Sequence, residues 1–497
     1  MAKEVSPGVK ALRKVVDDVH ADARRAHAEG KLVGWSSSKF PCELAAAFDL
    51  DVMYPENQAA GIAANRDGEI MCQAAEDLGF DNDICGYARI SLAYAAGKRA
   101  SRKFDPETLE YIINPNSGKP LKDENGNVVI DPETGKPKKD PKTQVPYTVL
   151  DDIFEIEALP ETTEKEIAYK NFRREAIKPY RQMRIPQPDF VLCCNNICNC
   201  MTKWYENIAR MCNIPLIMID IPYNNTVEVH DTNVAYVRAQ FDQAIKELVP
   251  ALQSIWFIPH VTGKKFDQEK FDQACANANR TASAWLRVCD YLQYKPAPYS
   301  GFDLFNHMAD IVTARAKPQA AEAFELLEKD LEKAIKEGTS TTPFPEKYRV
   351  MFEGIPCWPK LPNLFKPLKA NGVNVTAVVY APAFGFVYNG LDEMARAYYK
   401  APNSVCIEQG VDWREGICRD NKVDGVLVHY NRSCKPWSGY MAEMQRRFTK
   451  DLGVPCAGFD GDQADPRNFN EAQYETRVQG LVEAMEANQA AKEGAEK

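Results

Sequence analysis

Short apolar runs rich in Val, Ile and Leu recur along the chain between polar turns: LVGW at 32–35, DFVLCC at 189–194, PLIMIDIP at 215–222, YRVMFEG at 348–354, NVTAVVYAP at 374–382 and VDGVLVHYN at 423–431. Unbroken runs of about four to eight apolar residues predict strands buried on both faces, as in parallel sheets. Most are followed by a stretch of helical period, such as Asn199 to Cys212 or Leu391 to Tyr399. That alternation builds doubly wound α/β sheets of Rossmann or flavodoxin type. Two such domains are expected, an N-terminal one over 1–250 and a C-terminal one over 345–497. The region 251–344 between them reads as a helical connector, with AAEAFELLEKDLEKAIKEG and almost no strand signal.

The segment 102–145 breaks this rhythm. It is rich in Pro, Gly, Asp, Asn and Lys and holds a short repeat, INPNSGKP at 113–120 and IDPETGKP at 130–137. Pro and Gly at fixed offsets set successive turns, so it reads as an inserted hairpin without catalytic role. At the C-terminus a last helix is expected near 471–486, with the polar tail EANQAAKEGAEK frayed beyond it.

At 497 residues the chain is too long for one small binding module. Its net charge of -9 argues against nucleic acid as a partner. The N-terminal stretch is charged and amphipathic, and no run of 18 apolar residues follows, so a cytoplasmic protein without membrane spans is expected. Fifteen cysteines are far from disulfide-scaffold density. In a reducing compartment such residues bind metal, react, or fill the core. With six histidines and no HExxH, any metal site must rely on thiolate. GxxxxGK[ST], GxGxxG after a strand, and GxSxG are all missing, which leaves no P-loop, dinucleotide fingerprint or serine elbow.

The densest signal is CCNNICNC, which places Cys193, Cys194, Cys198 and Cys200 where a strand passes into a helix. Cys193 and Cys194, inside the strand, read as core residues. Cys198, just past it, is the better ligand. Cys434 follows VDGVLVHYN in the same way, between Arg432 and Lys435, whose charges favour thiolate. Cys85 follows the turn-prone FDND and precedes an apolar helix. Each alone could be a small buried residue. Together, three thiolates at strand-to-helix positions would bind three irons of a cubane and leave the fourth open for substrate. Ser36, Ser37 and Ser38 follow the first strand, where their hydroxyls either contact a substrate or cap a turn. Glu56 lies after Pro55 at another strand end, as an acid or base or simply as an anion at a helix N-terminus.

The segments GWSSSKFPCEL, YPENQAAGIAANRDGE, NDICGYARISLAYAAG, CCNNICNCMTKWYE, EGIPCWPKLPNLFKPLKANG and VHYNRSCKPWSGY together resemble the larger, alpha subunits of 2-hydroxyacyl-CoA dehydratases. These are relatives of benzoyl-CoA reductase subunits and occur in anaerobes that ferment amino acids. The resemblance covers nearly the whole chain, which departs from shorter relatives by the insertion. It implies a hydro-lyase that converts (R)-2-hydroxyglutaryl-CoA to (E)-glutaconyl-CoA. It also implies a [4Fe-4S] cluster on Cys85, Cys198 and Cys434, with Cys194 and Cys200 as alternative ligands. The β-proton is not acidic in the closed-shell substrate. One added electron makes the thioester a ketyl radical anion, which expels the hydroxyl. The resulting radical loses the β-proton, and the electron returns. In this scheme Ser38 hydrogen-bonds the reacting oxygen and Glu56 moves a proton at the departing hydroxyl.

The same resemblance implies a smaller beta subunit with its own cluster as heterodimer partner, an ATP-hydrolysing iron-sulfur activator that docks transiently, and FMN or riboflavin in some complexes. A distal acyl carboxylate calls for a cation, with Lys39, Arg89 and Arg432 as candidates. Lactoyl-, 2-hydroxyisocaproyl- or phenyllactyl-CoA are alternative substrates. A non-catalytic iron-sulfur electron-transfer subunit and a thiolate zinc protein are rival classes.

Overall fold

The computed structural model describes residues 5–178, 184–253 and 265–495. The start of the expected connector at 254–264 lies outside them, as do 1–4 and 496–497. Among the described residues ten strands form: β1 Val33–Ser36, β2 Asp51–Met53, β3 Lys98–Arg102, β4 Thr148–Asp152, β5 Phe190–Cys194, β6 Leu216–Ile219, β7 Tyr348–Glu353, β8 Val373–Val378, β9 Gly425–Asn431 and β10 Cys456–Gly461. Two four-stranded parallel sheets carry the fold, in the orders β2-β1-β5-β6 and β10-β9-β7-β8. The predicted apolar runs supply six of these eight strands. β10 has no counterpart among them, because CAGFDG contains two glycines and an aspartate and pairs on one side only.

Counted along the chain, both sheets have one topology. The first strand of each half lies between its second and third, so β1 abuts β5 and β7 abuts β9. Connections leave those pairs in opposite directions, which opens a crevice at their carboxyl ends. In the first sheet Gly34 lets β1 lie against its neighbour, since a Cβ there would meet the Phe190 ring at 2.1 Å. The second sheet is packed by aromatics. Phe352 in β7 touches the rings of Phe302, Phe305, Phe459 and His429.

The helices Gln268–Asp290 and Pro318–Lys336 pack on each other, and the second also packs on the N-terminal helix Pro7–Ala28. Trp285 Nε1 donates to Ala381 O at 2.9 Å and fastens this layer to the second half. The chain also crosses over. Phe386, Tyr388, Met394, Tyr398 and Tyr399 join the core of the first sheet, and the helix Gly390–Tyr399 packs on Asp231–Gln253.

The insertion is a β-ladder. β3 and β4 pair antiparallel, and isolated bridges continue outward at 104/111, 113/146, 120/139, 122/128 and 130/137. The repeat within it is turn chemistry. Asn114 and Asp131 each accept the N–H two residues on, and Gly118 and Gly135 take positive φ. The last helix runs Glu471–Ala495, so the described part of the tail, expected to fray, is helical. Among the described residues no helix is long and apolar enough to cross a membrane.

Truncating a ring held by four others leaves a cavity, so Phe352→Ala should cost about 3–5 kcal/mol. Chemical denaturation of wild type and variant checks this; a loss below about 1 kcal/mol would contradict the packing described.

Candidate functional site

The crevices of the two sheets meet. Ser38, Lys39, Glu56, Cys85, Cys198 and Cys434 all line one cavity of about 80 Å³, with Tyr87, Ile197, Met201, Trp204, Ile355, Tyr380, Phe384 and Trp437 among its apolar walls. A second cavity of about 130 Å³ shares Ser38, Glu56, Tyr380 and Phe384 with it. That space continues between Ala60 on one side and Met308 and Val312 on the other.

Each thiol stands at a helix start. Cys85 immediately precedes the helix Gly86–Ala95, Cys434 precedes Lys435–Ser438, and Cys198 lies two residues before Cys200–Cys212. Burial pushes the Cys85 thiol well above the ordinary thiol range. The thiols of Cys200, Cys434 and Cys198 add to the shift, and the backbone N–H of Ala88 opposes it. Cys198 is raised in the same way, first by burial and then by Cys200 and Cys434, against the N–H groups of Met201 and Cys200. Burial pushes Cys434 up to about 12, with the N–H of Trp437 opposing. Three thiols are thus kept neutral by desolvation while helix-start N–H groups face them.

Among the described residues no group of three or more His, Cys, Asp or Glu is gathered closely enough to hold a metal ion. A cubane cluster spaces its ligand sulfurs more widely than one ion does, because metal and sulfide atoms stand between them. The donor set suits such a cluster: three soft sulfurs on separate segments, a cavity between them, and two buried oxygens on its wall, Glu56 Oε1 and Asn403 Oδ1, without a protein partner. Cys200 is close to Cys85, Cys198 and Cys434 but is absent from the cavity wall. Cys193 and Cys194 are fully buried in β5.

Of the three serines only Ser38 faces the cavity. Ser36 Oγ donates to Ser37 O, and Ser37 Oγ accepts the Cys194 N–H at 2.9 Å, tying β1 to β5. The Ser38 N–H donates to Glu56 Oε2 at 2.7 Å. Burial pushes the Glu56 carboxyl up to about 8, against the pull of Ser38 and Lys39. The Lys39 ammonium, pushed down to about 7 by burial, lies 4.8 Å from the ring centres of both Phe384 and Phe386.

Two of the three candidate cations for a distal carboxylate are elsewhere. Arg89 is fully buried in ion pairs with Glu76 at 2.7 Å and Asp465 at 3.0 Å, and Arg432 is exposed and off the cavity wall. Lys39 remains. Tyr87, Asn403, Trp437 and Gln463 line the cavity without having been singled out from the sequence. Trp437 is held by the buried carboxylate of Glu353, which accepts its indole N–H at 3.0 Å and pairs with Arg414 at 2.9 Å.

The sequence pattern of the 2-hydroxyglutaryl-CoA dehydratase D-component matches residues 168–485. The chain belongs to the 2-hydroxyglutaryl-CoA dehydratase family. It is 71% identical to the (R)-2-hydroxyglutaryl-CoA dehydratase alpha subunit of Acidaminococcus fermentans, over 98% of this chain and 99% of that one. Identity is 41% to the (R)-phenyllactyl-CoA dehydratase alpha subunit of Clostridium sporogenes, over 97% and 96% of the two chains. It is 40% to the (R)-2-hydroxyisocaproyl-CoA dehydratase alpha subunit of Clostridioides difficile, over 96% and 97%. As a member of this family the chain is a dehydratase subunit, a hydro-lyase.

The folded protein holds the Glu56 proton up to about pH 8, whereas an unfolded chain releases it near the ordinary glutamate value. The native state therefore binds more protons in that window and loses stability as pH rises through it. Glu56→Gln removes this dependence. Its thermal midpoint should gain on wild type between about pH 5 and about pH 8; a constant difference across that range would show that Glu56 ionises normally.

Proposed function

We propose that the chain is the catalytic subunit of a dehydratase converting (R)-2-hydroxyglutaryl-CoA to (E)-glutaconyl-CoA and water, with Cys85, Cys198 and Cys434 holding a [4Fe-4S] cluster. The observation that carries this reading is the meeting of those three thiols with Ser38, Glu56 and Lys39 around one small apolar cavity. When bound, the cluster supplies one electron, recovered at the end of turnover, and with it the ketyl route that makes the β-proton acidic, together with an open iron as Lewis acid.

The chain's own residues do the rest. With its pKa near 8, Glu56 is mostly protonated at neutral pH, and its unpartnered Oε1 is free to give that proton to the departing hydroxyl; the β-proton released later in the cycle balances the one given and restores the carboxyl. The Ser38 N–H fixes Oε2, so the carboxyl keeps one orientation, and its hydroxyl is at hand for the substrate oxygen. Lys39 supplies the positive charge for a distal carboxylate; a bound anion would raise its lowered pKa and hold it as ammonium. Trp204, Tyr87, Ile355 and Phe384 exclude water, which protects a reactive intermediate. The adjoining cavity past Ala60, Met308 and Val312 fits the slender arm of a CoA thioester.

The relative of highest identity given above is named as an alpha subunit, which supports a beta subunit as partner. In this reading a separate ATP-hydrolysing iron-sulfur activator supplies the strongly reducing electron, with which the lack of a P-loop motif in this sequence agrees.

Anaerobic isolation with the partner subunit, followed by iron and sulfide analysis, tests the ligand set. Cys85→Ser, Cys198→Ser and Cys434→Ser should each lose one cluster's worth of iron from the complex, the partner subunit keeping its own, and all dehydration, whereas Cys194→Ser and Cys200→Ser should keep both. Iron loss from Cys200→Ser with retention in Cys198→Ser would move the assignment. Glu56→Gln should lower turnover by about 10²–10⁴ with iron intact. Lys39→Met should select against the glutaryl substrate relative to phenyllactyl-CoA in a kcat/KM panel; an unchanged ratio would remove Lys39 from acyl recognition.

A further inference from the structure

Gln463 is fully buried and lies just past the carboxyl end of β10, on the wall of the thiol cavity. Its Nε2 donates to Cys85 Sγ at 3.2 Å. The other end of the amide is held as well, because Ser433 Oγ donates to Gln463 Oε1 at 3.4 Å. Ser433 Oγ in turn accepts the N–H of Gly86 at 3.0 Å. The contacts form a closed ring: Cys85 to Gln463, Gln463 to Ser433, Ser433 to Gly86, and the peptide back to Cys85. Two members come from the first half of the chain and two from the second, and Ser433 immediately precedes Cys434.

The ring has one polarity. With its carbonyl oxygen turned to the Ser433 hydroxyl, which also lies within reach of Asp462, the amide presents its N–H₂ to sulfur. Its backbone is fixed too, since Gln463 O accepts the Trp358 N–H at 3.2 Å. Gly86 lets the segments approach this closely, because a Cβ there would lie 2.7 Å from Asp462 Oδ1 and 2.9 Å from Ala464 Cβ.

An N–H aimed at a ligand sulfur stabilises the more negative state of whatever that sulfur ligates, and such hydrogen bonds are one lever on iron-sulfur potentials. Of the three cavity thiols, Cys85 alone receives a side-chain amide donor among the described residues. We propose that Gln463 is a positioning residue, oriented by Ser433, whose N–H₂ to Cys85 raises the reduction potential of the cluster and orients that thiolate. The proposal rests on the cluster reading above and adds to it which of the three ligands carries the tuning.

The test uses the complex of this chain with its partner subunit, prepared anaerobically. Iron and sulfide are quantified, and the midpoint potential is read by electron paramagnetic resonance during titration with a chemical reductant. Gln463→Met keeps length and removes the donor, and should shift the potential downward with iron content unchanged. Ser433→Ala leaves the amide in place but unheld, and should give a smaller shift in the same direction. An unchanged potential in an iron-replete Gln463→Met complex overturns the proposal. Should Gln463→Met lose iron, Ser433→Ala decides: a lowered potential supports the proposal and an unchanged one overturns it. A wild-type complex with iron for the partner subunit's cluster alone overturns the underlying reading instead, so the two failures are distinguishable.

Discussion

Desolvation governs this site. A cavity walled by tryptophan, tyrosine and phenylalanine makes every formal charge expensive, so thiols and carboxyl are driven toward their protonated forms and the lysine toward its free amine. Groups prepared in this way gain most from an incoming counter-charge. In the proposed reading a metal cluster would convert the buried thiols to thiolates by supplying the cation they lack, and a substrate carboxylate would do the corresponding service for the lysine. The cost of dehydrating the cavity in the empty protein therefore becomes selectivity for ligands of the right sign.

Geometry supplies the second half of the argument. Two sheets of identical strand order face each other, and each contributes the crevice at its own switch point. β1 and β5 deliver Ser38 and Cys198, and β9 delivers Cys434. Glu56 and Cys85 arrive at the starts of helices that cover the first sheet. No one half contains the constellation, so the packing between halves is part of the chemistry.

Much of this was legible from the chain. Unbroken apolar runs located six of the eight parallel-sheet strands, and residues just beyond them turned out to line the cavity, because strand ends are where an open α/β sheet admits ligands. What escaped had physical reasons. β10 is a glycine-bearing edge strand without an apolar run, so Gln463 at its end carried no signal. Arg89 looked like an anion-binding candidate four residues from Cys85, yet its partner Asp465 lies 376 positions away, and such pairings leave no local trace. The polarity of the tail conceals its helix, since a solvated helix needs few apolar positions. Strand position alone did not separate Ser38 from Ser36 and Ser37, which only the resemblance did; the fold agrees in placement, with Ser36 Oγ turned to Ser37 O and Ser37 Oγ taken by the Cys194 N–H.

The stretch from Phe386 to Ala401 leaves the second sheet, fills the core of the first, and then returns to build β9 and β10. Such threading couples the two lobes mechanically. Neither can melt without stripping apolar surface from the other, so the molecule should resist stepwise dissolution, and cutting the gene between lobes would yield two insoluble fragments rather than two working modules.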